Sequence, residues 1–483
     1  MTLKHSSSSS STFLYKNLQN IFFNEDGVTL TLLIISAIFA IFWYAWMFTR
    51  SKRQKCSSPP GPRGLPIVGN LPFLDPDLHT YFATLARTYG PVLKLQLGQK
   101  LAIVVTSPSS ARQVLKDHDV TFANRDVPIV GREIAYGGRD IVWTPYGPEW
   151  RMLRKVCVLK MLSNTTLDSV YALRRRQLRE TVGYIYTRAG STVGVGEQLF
   201  LTILNVITNM LWGGAVQGDD RASIGAEFRQ VVSEMTELLG TPNVSDFFPG
   251  LARFDLQGLV KKSRALKNKF DKMFDLMIDQ RLKMDRECGK ESKDFLQFLL
   301  QLKDEADSKT PLTMIHVKAL LMRQHSRRVP HLQTAISICC NGRNTALAPS
   351  PPHCPTETST VGGYTVPKGA RVFVNVWAIH RDPSVWKNPL EFNPERFLNS
   401  KWDYSGSDFN YFPFGSGRRI CAGIAMAERM FLYSVATLLH SFDWKLPDGQ
   451  KVDLTEKFGI VLKLKNPLAA IPTPRLSDPA LYE

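Results

Sequence analysis

The sequence predicts a mainly helical fold with a minor β-sheet, set behind a single N-terminal transmembrane helix. Three observations predict it. Val28–Phe48 runs 21 residues without a charge. Leu93–Leu97 alternates and Leu101–Val105 is continuously apolar around a Gly98–Gln99 turn, as two short strands would. From Ser107 to about residue 320, apolar residues recur mostly at helical spacing. The composition agrees: 44% hydrophobic and 21% charged residues are too apolar for disorder and too charged for a polytopic membrane protein.

Residues 1–27 are polar, with a serine run from Ser6 to Ser11, and are expected to be a short lumenal tail. At about 1.5 Å per residue, residues 28–48 can cross a hydrocarbon core of roughly 30 Å. Trp43, Tyr44 and Trp46 mark the interfacial end, which no cleavable leader would carry. Arg50, Lys52, Arg53 and Lys55 follow, whereas Glu25 and Asp26 precede, so the positive-inside rule puts the rest of the chain in the cytosol. The expected location is therefore the endoplasmic reticulum membrane, single-pass, with the catalytic domain facing the cytosol. Residues 49–70 form a basic and proline-rich hinge, stiffened by Pro59, Pro60, Pro62 and Pro66.

Residues 71–483 form one domain. Ser107–Pro108 opens the helical stretch. Leu259, Leu266, Phe270, Met273, Phe274, Met277 and Leu282 make the stripe of a half-exposed helix, a core feature rather than a cofactor contact. Strands return near Gly363–Val376, and a helix fits Ile424–His440. Seven scattered cysteines, with no C-x-x-C pair, exclude a disulfide framework and a zinc site. The excess of 60 Lys and Arg over 43 Asp and Glu, a net +17, favours an acidic partner or anionic lipid. Nucleic acid is excluded, because the basic residues are dispersed and no reading module is visible.

The chemistry concentrates in Phe414-Gly-Ser-Gly-Arg-Arg-Ile-Cys-Ala-Gly423, which leads into the helix at Ile424. Gly415 and Gly417 permit a tight bend, and Gly423 leaves no side chain above the sulfur. The helix start points free amides at Cys421, which suits a nucleophile or a metal ligand. A nucleophile would need a base, and the one histidine nearby in sequence, His440, lies at the far end of the helix. An axial ligand to haem iron needs only a fixed sulfur and nearby cations.

This loop resembles the Phe-x-x-Gly-x-Arg-x-Cys-x-Gly signature of the cytochrome P450 superfamily at every fixed position. The anchor, the hinge Pro59–Asn70, Trp150 and Arg154 at four-residue spacing, and Phe392-Asn-Pro-Glu-Arg-Phe397 carry the resemblance further, toward the plant microsomal type. It implies a cytochrome P450 fold and a haem-thiolate monooxygenase. Cys421 would be the axial ligand of haem b (iron protoporphyrin IX). Trp150, Arg154 and Arg419, with His353 as a weaker contact, would hold the propionates, and Phe414 would pack on the haem face within the loop shaped by Gly417 and Gly423. The thiolate would favour O–O cleavage, and one oxygen atom from dioxygen (O2) would enter a small lipophilic substrate. The chain has no flavin or dinucleotide module, so electrons from NADPH would arrive through a separate flavin-containing reductase.

Two family features are missing. No acid occurs between Asp307 and Glu357, so the acid and threonine that relay protons during oxygen activation are absent and no catalytic residue is identified. No glutamate anywhere is followed three residues later by arginine, so Arg396, the structural arginine of the expected ion-pair network, should be a buried ion without charge partners. Residues 323–350, including Cys339 and Cys340, form an atypical segment, the expected product of an internal deletion with a local reading-frame or splicing disturbance. Three readings follow: a monooxygenase by descent, a haem-thiolate enzyme that rearranges peroxides, and a catalytically impaired, membrane-bound pseudoenzyme that binds partners.

Overall fold

The computed structural model describes residues 25–51, 57–213, 220–287, 294–304, 310–322, 352–391, 393–397, 402–451, 453–459 and 462–483. They fall into two units, divided between Ser58 and Pro59. In the first, α1 (Glu25–Ser51) is one 27-residue helix covering the expected anchor. Its described large apolar side chains are all exposed, from Tyr44 at 43% to Phe42 at 76%. Side chains are described only from Thr29 to Tyr44, and among the described residues no helix is long and apolar enough to cross a membrane.

The second unit holds the expected sheet. β1 (Val92–Leu97) and β2 (Lys100–Val105) pair antiparallel, Val92 opposite Val105 and Leu97 opposite Lys100, around Gly98 at φ +58°. The sheet continues through β3 (Asn124–Arg125), β4 (His353–Cys354) and β5 (Arg371–Val374) in the spatial order β1-β2-β5-β4-β3. Period-2 alternation divides its faces. Leu93, Leu95, Leu97, Ala102 and Val104 pack with Phe82 on one side. Val92, Ile103, Val105, Val372 and Val374 pack with Phe122, Ile379 and Phe412 on the other.

Pro60–Asn70, the proline-rich part of the hinge, lies against β1. Lys94 N–H donates to Pro60 O (2.8 Å), Asn70 N–H to Gln96 O (2.6 Å), and the Asn70 side-chain oxygen accepts from Gln96 N–H (2.7 Å). Prolines cannot donate, but their carbonyls accept, so this segment extends the sheet edge. At Gly61 an added Cβ would stand 2.1 Å from Lys94 O, which is why the approach needs glycine.

The helical part is built around α2 (Pro148–Val156), α3 (Tyr171–Tyr186), α4 (Val195–Trp212), α5 (Leu259–Glu287), α6 (314–322, as far as described) and α7 (Ile424–Ser441). Ser107 caps its helix through Ser110 N–H, as expected. The α5 stripe is buried from Leu259 to Met277, in the same core as α3, α4, α6 and α7, whereas Leu282 is exposed.

Candidate functional site

The loop before α7 is closed by its own backbone. Gly415 N–H donates to Phe412 O (2.9 Å), Ile420 N–H to Gly417 O (3.0 Å) and Cys421 N–H to Phe414 O (3.0 Å). Gly415 and Gly417 adopt φ +75° and +67°, which only glycine takes without strain. Gly417 is required on a second ground: a Cβ there would lie 1.8 Å from Leu115 O in the neighbouring turn. Cys421 is a half-buried free thiol, and Gly423 N–H, at the cap of α7, donates to its Sγ at 3.3 Å. The two glycines and the helix start thus work as the sequence implied, with the Gly423 amide as the donor to sulfur.

Cationic groups gather around this loop. Trp150 and Arg154 share a face of α2, the indole N–H donating to Ile141 O (3.0 Å) and Arg154 NH1 to Ile420 O (2.7 Å), one residue from the sulfur. Arg154 is desolvated, which lowers its affinity for a proton, while the nearby Cys421 and Cys157 act in the opposite sense. Arg419 lies 4.5 Å from the Trp150 ring centroid and donates to Ala123 O (2.7 Å), Ile141 O (3.2 Å) and Thr144 O (2.6 Å). The turn that presents two of these carbonyls is held by Asp140, which accepts from Val142 and Trp143 N–H.

His353, buried in β4, donates from Nδ1 to Phe122 O (2.8 Å), and burial followed by the charge of Arg125 holds its pKa well below the usual histidine range. It is therefore neutral here, with Nε2 bare, and would donate to a carboxylate only after taking up a proton. Phe414 is half-buried on the helical core, its ring edge-on to Tyr404 at 6.2 Å.

Sequence reasoning missed two arginines. Arg125 is buried opposite His353 across the β3–β4 pair, which two-residue strands leave without visible periodicity. Arg418 pairs with Asp119 (2.8 Å) and donates to the Tyr146 hydroxyl (2.9 Å). The Arg396 expectation needs correction. It was expected to be a buried ion left without partners; instead its guanidinium is half-buried and donates to the carbonyls of Asn393 (3.0 Å), Lys387 (3.3 Å), Asn388 (3.2 Å) and Glu391 (3.0 Å), so backbone oxygens satisfy it in place of an ion pair.

Residues 323–350, with Cys339 and Cys340, lie outside the described residues. The helix that precedes them is tied to the site: His316 on α6 contacts Glu149 at 2.8 Å, next to Trp150.

The shell fits haem by the chemistry of its donors. A sulfur held by a backbone amide at a helix start suits a thiolate ligand. The desolvated cation Arg154 and Arg419 both lie over the Trp150 ring, and Arg125 and Arg419 both act on His353, so a dianionic porphyrin edge here would be neutralised.

Comparison with known proteins agrees with this geometry. The cytochrome P450 family model matches residues 59–324 and 343–470, breaking off inside the atypical segment. A flavonoid 3'-monooxygenase of Crocosmia x crocosmiiflora is 34% identical over 516 aligned positions, covering 94% of this chain and 100% of the relative. That alignment is longer than the 483 residues here, so the relative carries segments without a counterpart. A flavonoid 3',5'-hydroxylase of Campanula medium is 35% identical, covering 88% of this chain and 92% of its own. A carnosic acid synthase of Salvia pomifera is 34% identical, covering 86% and 93%. Among solved structures, a zebrafish cytochrome P450 with progesterone superposes with a TM-score of 0.66 at 22% identity, covering 83% of this chain and all of the other.

Proposed function

This chain belongs to the cytochrome P450 family, plant type, and on that premise we propose that it is a haem-thiolate monooxygenase whose cofactor-binding half is kept and whose oxygen-activating half is lost. The observation that carries the first part is the Arg154 hydrogen bond to Ile420 O. It joins α2, with Trp150 and Arg154, to the cysteine loop as one site.

In this reading Cys421 would ligate the iron of haem b, and the Gly423 amide, which donates to its sulfur, would temper the charge there. Trp150, Arg154 and Arg419 face the propionates, with His353 beside them. Haem so held would, in a chain with an intact proton relay, supply dioxygen activation and oxygen insertion into a lipophilic substrate. The names of the relatives support a flavonoid or a terpenoid of plant secondary metabolism as that substrate. Electrons come from NADPH through a separate flavin-containing reductase, and a net charge of +17 suits an acidic partner. The α1 helix, apolar and unburied, is the anchor that places the protein on the endoplasmic reticulum membrane with its catalytic domain toward the cytosol.

The second part rests on the lack of an acid between Asp307 and Glu357 and of any Glu-x-x-Arg pair, together with the break in the family match. Without a group to relay protons, oxygen activation fails, whereas rearrangement of a preformed peroxide needs no such relay. The test is purified full-length protein given reductase, NADPH and a flavonoid, and separately an organic hydroperoxide. The proposal expects haem uptake, no reductase-supported product and, at most, hydroperoxide turnover. Product formed at an ordinary P450 rate with NADPH would overturn it. Sequencing the transcript across codons 320–355 tests the deletion directly.

A further inference from the structure

We propose that His380 is a positioning residue for the haem-ligating loop: its bare Nε2 holds the Phe412 amide and so fixes the depth at which the loop presents Cys421. The inference rests on the role of Cys421 given above, but the bond that carries it belongs to the protein alone.

His380 is fully buried. Phe412 N–H donates to its Nε2 at 2.9 Å. Its ring also meets those of Phe412 and Tyr411, both at 5.3 Å between centroids. A nitrogen that accepts carries no proton, so the neutral ring is protonated at Nδ1. Burial, and then the charge of Arg381, push its pKa down to about 3, so Nε2 is an acceptor at every physiological pH.

The two ends of this hydrogen bond belong to different structures. One helical turn joins His380 to β5: Asn375, fixed by Val105 O (2.8 Å) and by His79 O (2.8 Å), caps the Val376–Ile379 turn, and His380 N–H donates to Val376 O (2.9 Å). The sheet therefore sets the position of the imidazole. Phe412, in turn, begins the cysteine loop. Its carbonyl accepts from Gly415 N–H, and the Phe414 carbonyl accepts from Cys421 N–H. A chain of three hydrogen bonds thus leads from the sheet to the residue bearing the sulfur. Phe412 shares an apolar cluster with Val105 and Ile379, which restrains the ring, and among the described residues the hydrogen bond to His380 is what holds its amide.

The test compares His380→Leu with His380→Gln, whose side-chain amide reaches as far as Nε2 and can accept in its place. Two readouts are taken on full-length protein: hydrogen exchange of the peptide spanning 409–415, and the Soret band of the reduced, carbon monoxide-treated protein. His380→Leu should speed exchange at 409–415 by about tenfold or more, since it leaves a buried amide unsatisfied. Residues 92–105 of the sheet should keep their protection. The variant should also convert a substantial fraction of the thiolate-type Soret band to the form lacking thiolate ligation. His380→Gln should restore both. Should the leucine variant not fold, the glutamine variant decides: protection of 409–415 as in the parent supports the role, and loss of it overturns the role. Uniform acceleration across the protein, or an unchanged peptide and spectrum in His380→Leu, would overturn it as well. If the parent takes up no haem, the proposed function falls while the exchange comparison still judges His380.

Discussion

Replacing Gly417 by alanine adds one Cβ atom, and the structure puts it 1.8 Å from the Leu115 carbonyl oxygen, against 3.4 Å or more for ordinary contact. Two costs follow. The residue sits at φ +67°, where an L side chain costs roughly 1–2 kcal/mol. Relief of the overlap displaces either the Gly417–Arg419 turn or the Leu115 backbone, and overpacking of this kind costs about 1–3 kcal/mol. The total, about 2–5 kcal/mol, is a large share of an ordinary domain stability of about 5–15 kcal/mol. Gly415 supplies the control: at φ +75° it has nothing within 4 Å of its would-be Cβ. Gly415→Ala should therefore show the backbone cost alone. Urea unfolding of both variants beside the parent reads the difference, with haem retention as a second measure, since moving the turn moves Arg419 and Cys421. Gly417→Ala no more destabilising than Gly415→Ala would refute the close approach to Leu115.

Other consequences are as specific. His380 has a folded-state pKa of about 3 against an ordinary 6.5, so its contribution is complete above pH 6.5 and is lost as pH falls toward 3. At about 1.4 kcal/mol per unit, stability should drop by about 2 kcal/mol between pH 7 and pH 5 in the parent relative to His380→Gln; equal urea midpoints in the two proteins across that range would contradict it. His353, also depressed, adds a loss in the same direction. Arg154→Leu should weaken haem binding by roughly tenfold to a hundredfold, as loss of a charge-assisted hydrogen bond implies, with Arg154→Lys in between; a haem titration measures both. Arg396→Ala should destabilise the fold by about 1–3 kcal/mol in urea by freeing four carbonyls, yet leave the Soret band of haem-loaded protein unchanged.

The parts legible in the sequence were those with local chemistry. Leu93–Leu97 and Leu101–Val105 announced a hairpin because the pleat repeats every two residues. The cysteine loop announced its bend because two of its residues occupy a conformation that glycine alone takes freely. The parts not legible depend on backbone atoms that all residues share. The hinge docks on β1 through the Pro60 carbonyl and through Asn70, and nothing in its composition distinguishes docking from a free connector. Arg419 finds carbonyls brought from distant segments, and Arg396 finds those of its own loop, so counting charged partners alone could not show how either guanidinium is satisfied. His380 lay unnoticed in an ordinary-looking stretch because its partner, Phe412, is 32 residues away and offers only an amide.

The most direct test of the account is the Soret band of the reduced, carbon monoxide-treated protein, recorded for the parent and for Cys421→Ala. The parent should show the thiolate-type band and the variant should lose it completely. A parent without haem, or two identical spectra, would contradict it.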